Sequence, residues 1–190
     1  MTLFQIVMLI ATAFFAFKIY EHVQNMEDPA EGRSSGRQPE PSDPQRLVDL
    51  ADEAFEAEDL GKAKALLAEA DSLAPDSPEI LNKLAFILAK EGDERRAIDH
   101  YLHSLKIDPD DDLVHNALAS IYRAKGDYVD ARNHYEAALA IDDAYEVTYF
   151  NYANLLVDME KPEEAKAMYD KALEIKPDFM QAKFEREKLS

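Results

Sequence analysis

Residues 94–110, ERRAIDHYLHSLKIDPD, recur in outline 34 residues later as residues 128–144, YVDARNHYEAALAIDDA. A third copy follows at residues 162–178, PEEAKAMYDKALEIKPD. Each copy has alanine at its fourth place and tyrosine at its eighth. Apolar residues recur every three to four positions, which predicts an amphipathic helix in each copy. A fixed period of this length is typical of a stacked array of helices.

The same period continues upstream, so the array has four units. Three sets of residues recur at a spacing of 34: Ala63, Ala97, Ala131 and Ala165; Leu67, Tyr101, Tyr135 and Tyr169; Ala70, Ser104, Ala138 and Ala172. Pro75, Pro109 and Pro177 share one register, in which Asp143 takes the fourth place. This pattern closely resembles the tetratricopeptide repeat (TPR) family over residues 44–177. We interpret the departures at Ala54, His115 and Asp143 as packing variations.

Each unit contains two amphipathic segments of about a dozen residues, which supports the same fold on physical grounds. In the second unit they are Glu79–Lys90 and Glu94–Leu105, separated at Gly92. The resemblance implies an all-α fold in which the helix pairs form a right-handed solenoid. We place the TPR domain at 44–190, with four repeats at about 44–77, 78–111, 112–145 and 146–179 and a capping helix at 180–190. Phe179, Met180 and Phe184 are expected to cover the last repeat.

The N-terminal residues differ from the rest of the chain. Between Thr2 and Phe17 there is no charged residue, and the apolar run ends at Tyr20. Nineteen residues make a helix of roughly 28 Å, which just spans a hydrocarbon core. A cleaved signal peptide is the alternative, but no lysine or arginine precedes the run. We therefore predict a transmembrane anchor at 1–22.

A tether is predicted to follow the anchor at 23–43, because prolines, glycines and serines replace the apolar pattern there. Lys18, Arg33 and Arg37 lie on the C-terminal flank of the apolar run, and no lysine or arginine lies before it. The positive-inside rule then places the TPR domain in the cytoplasm. We predict a single-pass protein of a bacterial inner membrane, with a periplasmic TPR domain as the alternative.

Composition excludes several classes of function. The chain of 190 residues has 39 acidic and 21 basic residues, a formal charge of −18. Nucleic-acid binding is therefore not expected, since it needs a basic surface. The chain has no cysteine, so disulfides, thiolate zinc sites and cysteine nucleophiles are excluded.

No catalytic motif or cofactor site is apparent, so we predict neither an enzyme nor a cofactor. The histidines lack the spacing of a zinc motif, and we expect them to lie on the surface. The acidic run at 108–112 lacks the glycine and glutamate of a calcium-binding loop. It precedes a helix, where aspartates cap free N–H groups, and no metal is predicted.

In TPR proteins the first helix of each pair lines a concave face that binds peptides or partner helices. Carried over by register, the resemblance places the following residues on that face: Asn82, Lys83, Phe86, Lys90, Asn116, Ser120, Arg123, Phe150, Asn151 and Asn154; the first repeat adds Asp49, Asp52 and Glu56. Asparagine side chains can both donate to and accept from a peptide backbone. The lysines and the arginine form a basic island that suits a ligand with an acidic centre or a terminal carboxylate.

The sequence thus predicts a membrane-anchored adaptor or scaffold that binds a peptide segment or a helix of a partner protein. Such a protein would assemble or recruit a membrane-associated complex. The lysine, asparagine and arginine residues do not match the clamp of chaperone-binding TPR proteins, so recognition of chaperone tails is not implied. The alternative is a structural or accessory subunit that self-associates into a homo-oligomer.

Overall fold

The computed structural model of the protein describes residues 43–189. This part of the chain contains nine helices and no strand, so the prediction of an all-α helical repeat is confirmed. The helices are α1 (Pro44–Glu56), α2 (Leu60–Leu73), α3 (Pro78–Lys90), α4 (Glu94–Ile107), α5 (Asp112–Lys125), α6 (Tyr128–Ile141), α7 (Glu146–Asp158), α8 (Pro162–Ile175) and α9 (Met180–Glu187).

The helices pack in pairs, and the pairs stack in chain order. Helix α1 packs on α2, α3 on α4, α5 on α6 and α7 on α8, while each pair contacts the next through its second helix. Helix α9 packs on α8. Because the connections within a pair are only two or three residues long, the paired helices are neighbours in space.

The predicted anchor at 1–22 lies outside the described residues, and so does the tether at 23–43 apart from Asp43. The Asp43 carboxylate accepts a hydrogen bond from the backbone N–H of Gln45 at 3.1 Å and caps α1. Among the helices of residues 43–189, none combines the length and the apolar character needed to cross a membrane.

The turn within each pair uses a left-handed residue at the same place in the repeat. Glu58, Gly92, Gly126 and Glu160 are spaced by 34 residues and have φ values of 61°, 83°, 82° and 59°. Glycine adopts this conformation without a steric penalty, which is why Gly92 and Gly126 predict the two middle turns. The first and fourth turns adopt the same geometry with glutamate.

The recurring alanines allow the paired helices to approach each other closely. Ala63, Ala97, Ala131 and Ala165 have no exposed surface. Larger side chains fill the space beside them, and these are almost completely buried: Leu67, Tyr101, Tyr135 and Tyr169. Close packing at these points leaves no room for an additional methylene group.

The capping helix covers the last repeat with a different set of side chains from the one predicted. Ala182 is completely buried, and the Phe179 ring lies 5.0 Å from the Phe150 ring. Met180 and Phe184 are 67% and 60% exposed, so the prediction that they face the repeat is wrong. The small Ala182 allows α9 to approach α8, and Phe184, two residues later, points to the opposite side of the helix.

Replacement of Ala131 by leucine tests the close approach within a pair. We expect Ala131→Leu to lower the free energy of unfolding by about 1–3 kcal/mol, because the added atoms must displace packed neighbours. Ala140→Leu on the exposed side of the same helix is the control and should change it by less than about 0.5 kcal/mol. Urea denaturation followed by circular dichroism measures both, and equal values for the two variants would contradict the packing argument.

Candidate functional site: the first-helix face

The first helices of the four pairs, α1, α3, α5 and α7, form one continuous surface, which we call the first-helix face. Side chains join α1 to α3 and α5 to α7 directly across the repeat junctions. The α3 helix is joined to the start of α5 through Asn82, whose Nδ2 donates to the Asp111 carboxylate at 3.0 Å. The face is therefore built from contacts between repeats and exists only in the stacked array.

The junction of α1 and α3 combines an ion pair with an aromatic pair. Lys83 Nζ lies 2.7 Å from Asp52 Oδ1 and 2.8 Å from Asp52 Oδ2. The rings of Phe55 and Phe86 lie 5.6 Å apart, and Lys90 Nζ lies over both, 5.9 Å and 5.1 Å from their centroids. Phe86 remains 45% exposed, so an apolar contact surface is available beside the charged groups.

The junction of α3 and α5 is polar and partly buried. Asn82 Oδ1 is buried and has no hydrogen-bond partner among the described residues. The Ser120 hydroxyl lies 3.1 Å from the Tyr135 hydroxyl and donates to the Asn116 carbonyl at 3.0 Å. Tyr101 lies at the base of this junction, and burial, with a contribution from Asp111, raises its pKa to about 12. The Tyr101 phenol therefore stays neutral at ordinary pH.

At the junction of α5 and α7 the polar side chains bind one another. Asn151 Nδ2 donates to Asn116 Oδ1 at 3.3 Å, and Arg123 Nε donates to Asp158 Oδ2 at 2.6 Å. In the fourth pair the Tyr169 hydroxyl donates to Asn154 Oδ1 at 2.6 Å. These groups stabilise the stacking of the third and fourth repeats.

Three adjacent cavities lie along the first-helix face of the described residues. The end cavity has a volume of about 560 Å³ and is lined by Phe55, Glu56, Glu58, Leu60 and Lys90. The apolar cavity, of about 200 Å³, is lined by Ala51, Asp52, Phe55, Leu67, Lys83, Phe86 and Ile87. The central cavity, of about 340 Å³, is lined by Asn82, Phe86, Tyr101, Asp111, Leu113, Val114, Asn116, Ala117 and Ser120. Phe55 joins the first two cavities, and Phe86 joins the second to the third.

The structure divides the predicted face residues into two groups. The first group lines the three cavities: Asn82, Lys83, Phe86, Lys90, Asn116 and Ser120. The second group does not line them and contacts the chain itself: Arg123, Phe150, Asn151 and Asn154. The Phe150 ring packs between Tyr169 and Phe179, at 5.9 Å and 5.0 Å, so it stabilises the C-terminal end of the array.

Sequence reasoning missed Phe55, which borders two of the cavities. The repeat register contained the necessary signal. Phe55 lies two periods of 34 residues before Arg123, which that register had already placed on the face. The basic island also differs from expectation, because Lys83 and Arg123 are each paired with an aspartate.

His115 and His134 form a half-buried pair between α5 and α6. Their Nδ1 atoms lie 2.9 Å apart, and Tyr122 stacks on the His134 ring at a centroid distance of 5.5 Å. The expectation of surface histidines is therefore wrong for these two. Burial lowers the pKa of His134, the neighbouring His115 lowers it further, and Asp130 opposes the shift. The pair explains the unusual residue at position 115 of the repeat pattern.

Within residues 43–189, no group of three or more histidine or acidic side chains is arranged to hold a metal ion. The acidic run before α5 has the predicted capping role. The Asp111 carboxylate accepts a hydrogen bond from the backbone N–H of Val114 at 3.0 Å. That bond satisfies one of the free N–H groups at the start of the helix.

Comparison with known proteins establishes the family. The tetratricopeptide repeat family model matches residues 76–144 and 110–178, which together span more than half of the chain. The chain belongs to the tetratricopeptide repeat family. No curated protein matches its sequence at a significant level.

Solved structures share the fold at low sequence identity. YrrB, described as a TPR protein with an unusual peptide-binding site, has a TM-score of 0.68 at 18% identity, covering 77% of this chain and 75% of YrrB. The pilF protein of Pseudomonas aeruginosa has a TM-score of 0.71 at 21% identity, covering 77% and 67%. The first TPR of Spaghetti (RPAP3), bound to the HSP90 peptide SRMEEVD, has a TM-score of 0.57 at 26% identity, covering 59% and 89%.

The histidine pair predicts a loss of stability in mild acid. Because the pKa of His134 is lower in the folded chain than its ordinary value of 6.5, the unfolded chain takes up the proton first. The stabilisation is complete above about pH 6.5 and is lost as the pH falls from there through the folded-state pKa.

A His115→Gln/His134→Gln variant should therefore lose less unfolding free energy than the wild type between pH 7.5 and 5.5. Urea denaturation at several pH values measures this difference. His103→Gln, which removes an exposed imidazole 3.2 Å from Asp76, controls for the loss of a histidine outside the pair. A wild-type profile no steeper than that of the double variant would contradict the assignment.

Proposed function

We propose that the protein is a non-enzymatic adaptor that binds a segment of a partner protein on the first-helix face. The observation that carries this proposal is the row of three connected cavities along the first three repeats. Exposed Phe86 lies between two of them and supplies an apolar contact of the kind that dominates binding energy. TPR proteins bind peptides or partner proteins, and the fold is typically a non-enzymatic interaction scaffold.

Two features of the face favour a peptide over a small molecule. The cavities extend over successive helices instead of forming one enclosed pocket. Asn82 Oδ1 next to the central cavity is an acceptor without a partner among the described residues, and a backbone N–H is a suitable donor for it. YrrB and the RPAP3 domain support the analogy, since the first is described with a peptide-binding site and the second with a bound HSP90 peptide.

We also propose that residues 1–22 anchor the protein in a membrane and that the following tether keeps the TPR domain near its surface. The support is the uncharged run from Thr2 to Phe17. Anchoring would raise the local concentration of the face for membrane-associated partners, so that moderate affinity would suffice. The corresponding function is assembly or recruitment of a membrane-associated complex.

Photo-cross-linking in cells tests the binding face. A photoreactive residue at exposed Ser120 of the central cavity should give adducts with a partner protein, whereas one at exposed Asn133 on α6 should give few. Adding Phe86→Ala should reduce the Ser120 adducts by about fivefold or more, because the apolar anchor is lost. Equal adducts from both positions would contradict the proposal, and an adduct between two copies of the chain would favour self-association instead.

Cysteine labelling tests the anchor and its orientation. The chain has no cysteine, so Ser35→Cys introduces a single reporter in the tether. In intact cells this thiol should be protected from a membrane-impermeant maleimide and should react after lysis. The full chain should also stay with the membranes in an alkaline carbonate wash. Labelling in intact cells would support the periplasmic alternative, and release by carbonate would contradict the anchor.

A further inference from the structure

The end cavity has the electrostatic character of a site for a cation. Glu56 and Glu58 contribute two carboxylates to its lining, against the single ammonium of Lys90. The cavity also lies where α1 and α3 end, at Glu56 and Lys90. Carbonyl groups at helix C-termini carry partial negative charge and stabilise nearby cations. Both features favour a positive group in the cavity.

Aromatic rings on the same wall already hold a cation. Lys90 Nζ lies 5.9 Å from the Phe55 centroid and 5.1 Å from the Phe86 centroid, within the range of cation–π attraction. Lys90 is itself exposed, so its side chain can move away at little cost. A cation supplied by a ligand would meet the same ring faces together with two carboxylates that Lys90 alone does not neutralise.

The other cations on this part of the face are not available to bind an acidic ligand. Lys83 is held by both oxygens of Asp52, and Arg123 is held by Asp158 at the distant α5–α7 junction. The net charge of −18 also attracts basic partners over long range and repels acidic ones. The structure therefore reverses the charge preference that the basic island suggested.

The neighbouring apolar cavity specifies a second part of the ligand. Its lining is mainly apolar, and its charged pair, Asp52 and Lys83, is mutually neutralised. Phe55 is shared with the end cavity. An apolar side chain packed against exposed Phe86 would thus lie beside a cation in the end cavity.

We propose that the partner segment is basic and apolar: a lysine or arginine side chain enters the end cavity, and an adjacent aromatic or large aliphatic side chain packs on Phe86. This inference rests on the proposed function and adds the chemistry of the ligand. Lys90 then acts as a resident competitor, since its ammonium occupies the ring faces and repels the incoming cation.

A random 12-residue peptide library displayed on phage is a suitable probe, selected on the immobilised full-length chain in detergent micelles. Selected peptides should carry lysine or arginine within a few positions of an aromatic or aliphatic residue. Synthetic copies are then measured by fluorescence anisotropy at low and high salt. Replacing their basic residues by glutamate should weaken binding by about tenfold or more, and raising the salt concentration should weaken the unmodified peptides.

Substitutions in the protein determine the sign of the charge preference. Glu56→Gln/Glu58→Gln should weaken the basic peptides about fivefold, whereas Lys90→Gln should strengthen them about two- to fivefold. Glu163→Gln/Glu164→Gln, at the start of α8, is the matched control and should leave affinity within about twofold. Phe86→Ala should weaken binding about tenfold, and the exposed aromatic control Phe184→Ala should not.

The outcomes separate this inference from the proposed function. Selection of acidic peptides, or weaker binding after Lys90→Gln, would overturn the basic-ligand inference. The first-helix face would still be the binding site if Phe86→Ala abolished binding in that case. A selection that yields no peptide dependent on Phe86 would overturn both.

Discussion

The close approach of two helices at a buried alanine is the constraint on which the rest of the structure depends. Ala63, Ala97, Ala131 and Ala165 have no exposed surface, and each lies where the second helix of a pair crosses the first. A larger side chain at these points would separate the helices and misplace the leucine or tyrosine four residues later. Because each pair is covered by the next, the array is stable only when stacked, and one error is transmitted to neighbouring repeats.

Stacking also determines what the first-helix face can do. Many polar side chains on this face bind a neighbouring repeat, as in the pairs of Lys83 with Asp52 and Arg123 with Asp158. Ion pairs of this exposure contribute modestly to stability. Their larger effect is to hold the side chains in place and to remove their charges from the binding surface. What remains accessible is the aromatic pair with Lys90 and the carboxylates beside it.

The two ends of the array differ in consequence. Around the first three repeats, cavities remain between the first helices. Around the fourth repeat, Phe179 packs on Phe150 and the Tyr169 hydroxyl binds Asn154, so the chain fills its own surface. A face with one open half and one self-occupied half suits a short ligand segment. In a protein with a net charge of −18, a basic segment matches that open half best.

The sequence by itself determined the helical array, its period and its turns, because a spacing of 34 residues with alanine at each crossing permits few other packings. It also determined which helices form the face, since the register carries Asn82 and Phe86 onto it. Only the tertiary structure decided which of these residues are accessible. A register position gives the direction of a side chain but not its partner, so the Arg123–Asp158 pair, the His115–His134 pair and the outward turn of Phe184 depend on distances between helices. Those distances arise from packing between repeats, which a one-dimensional pattern does not contain.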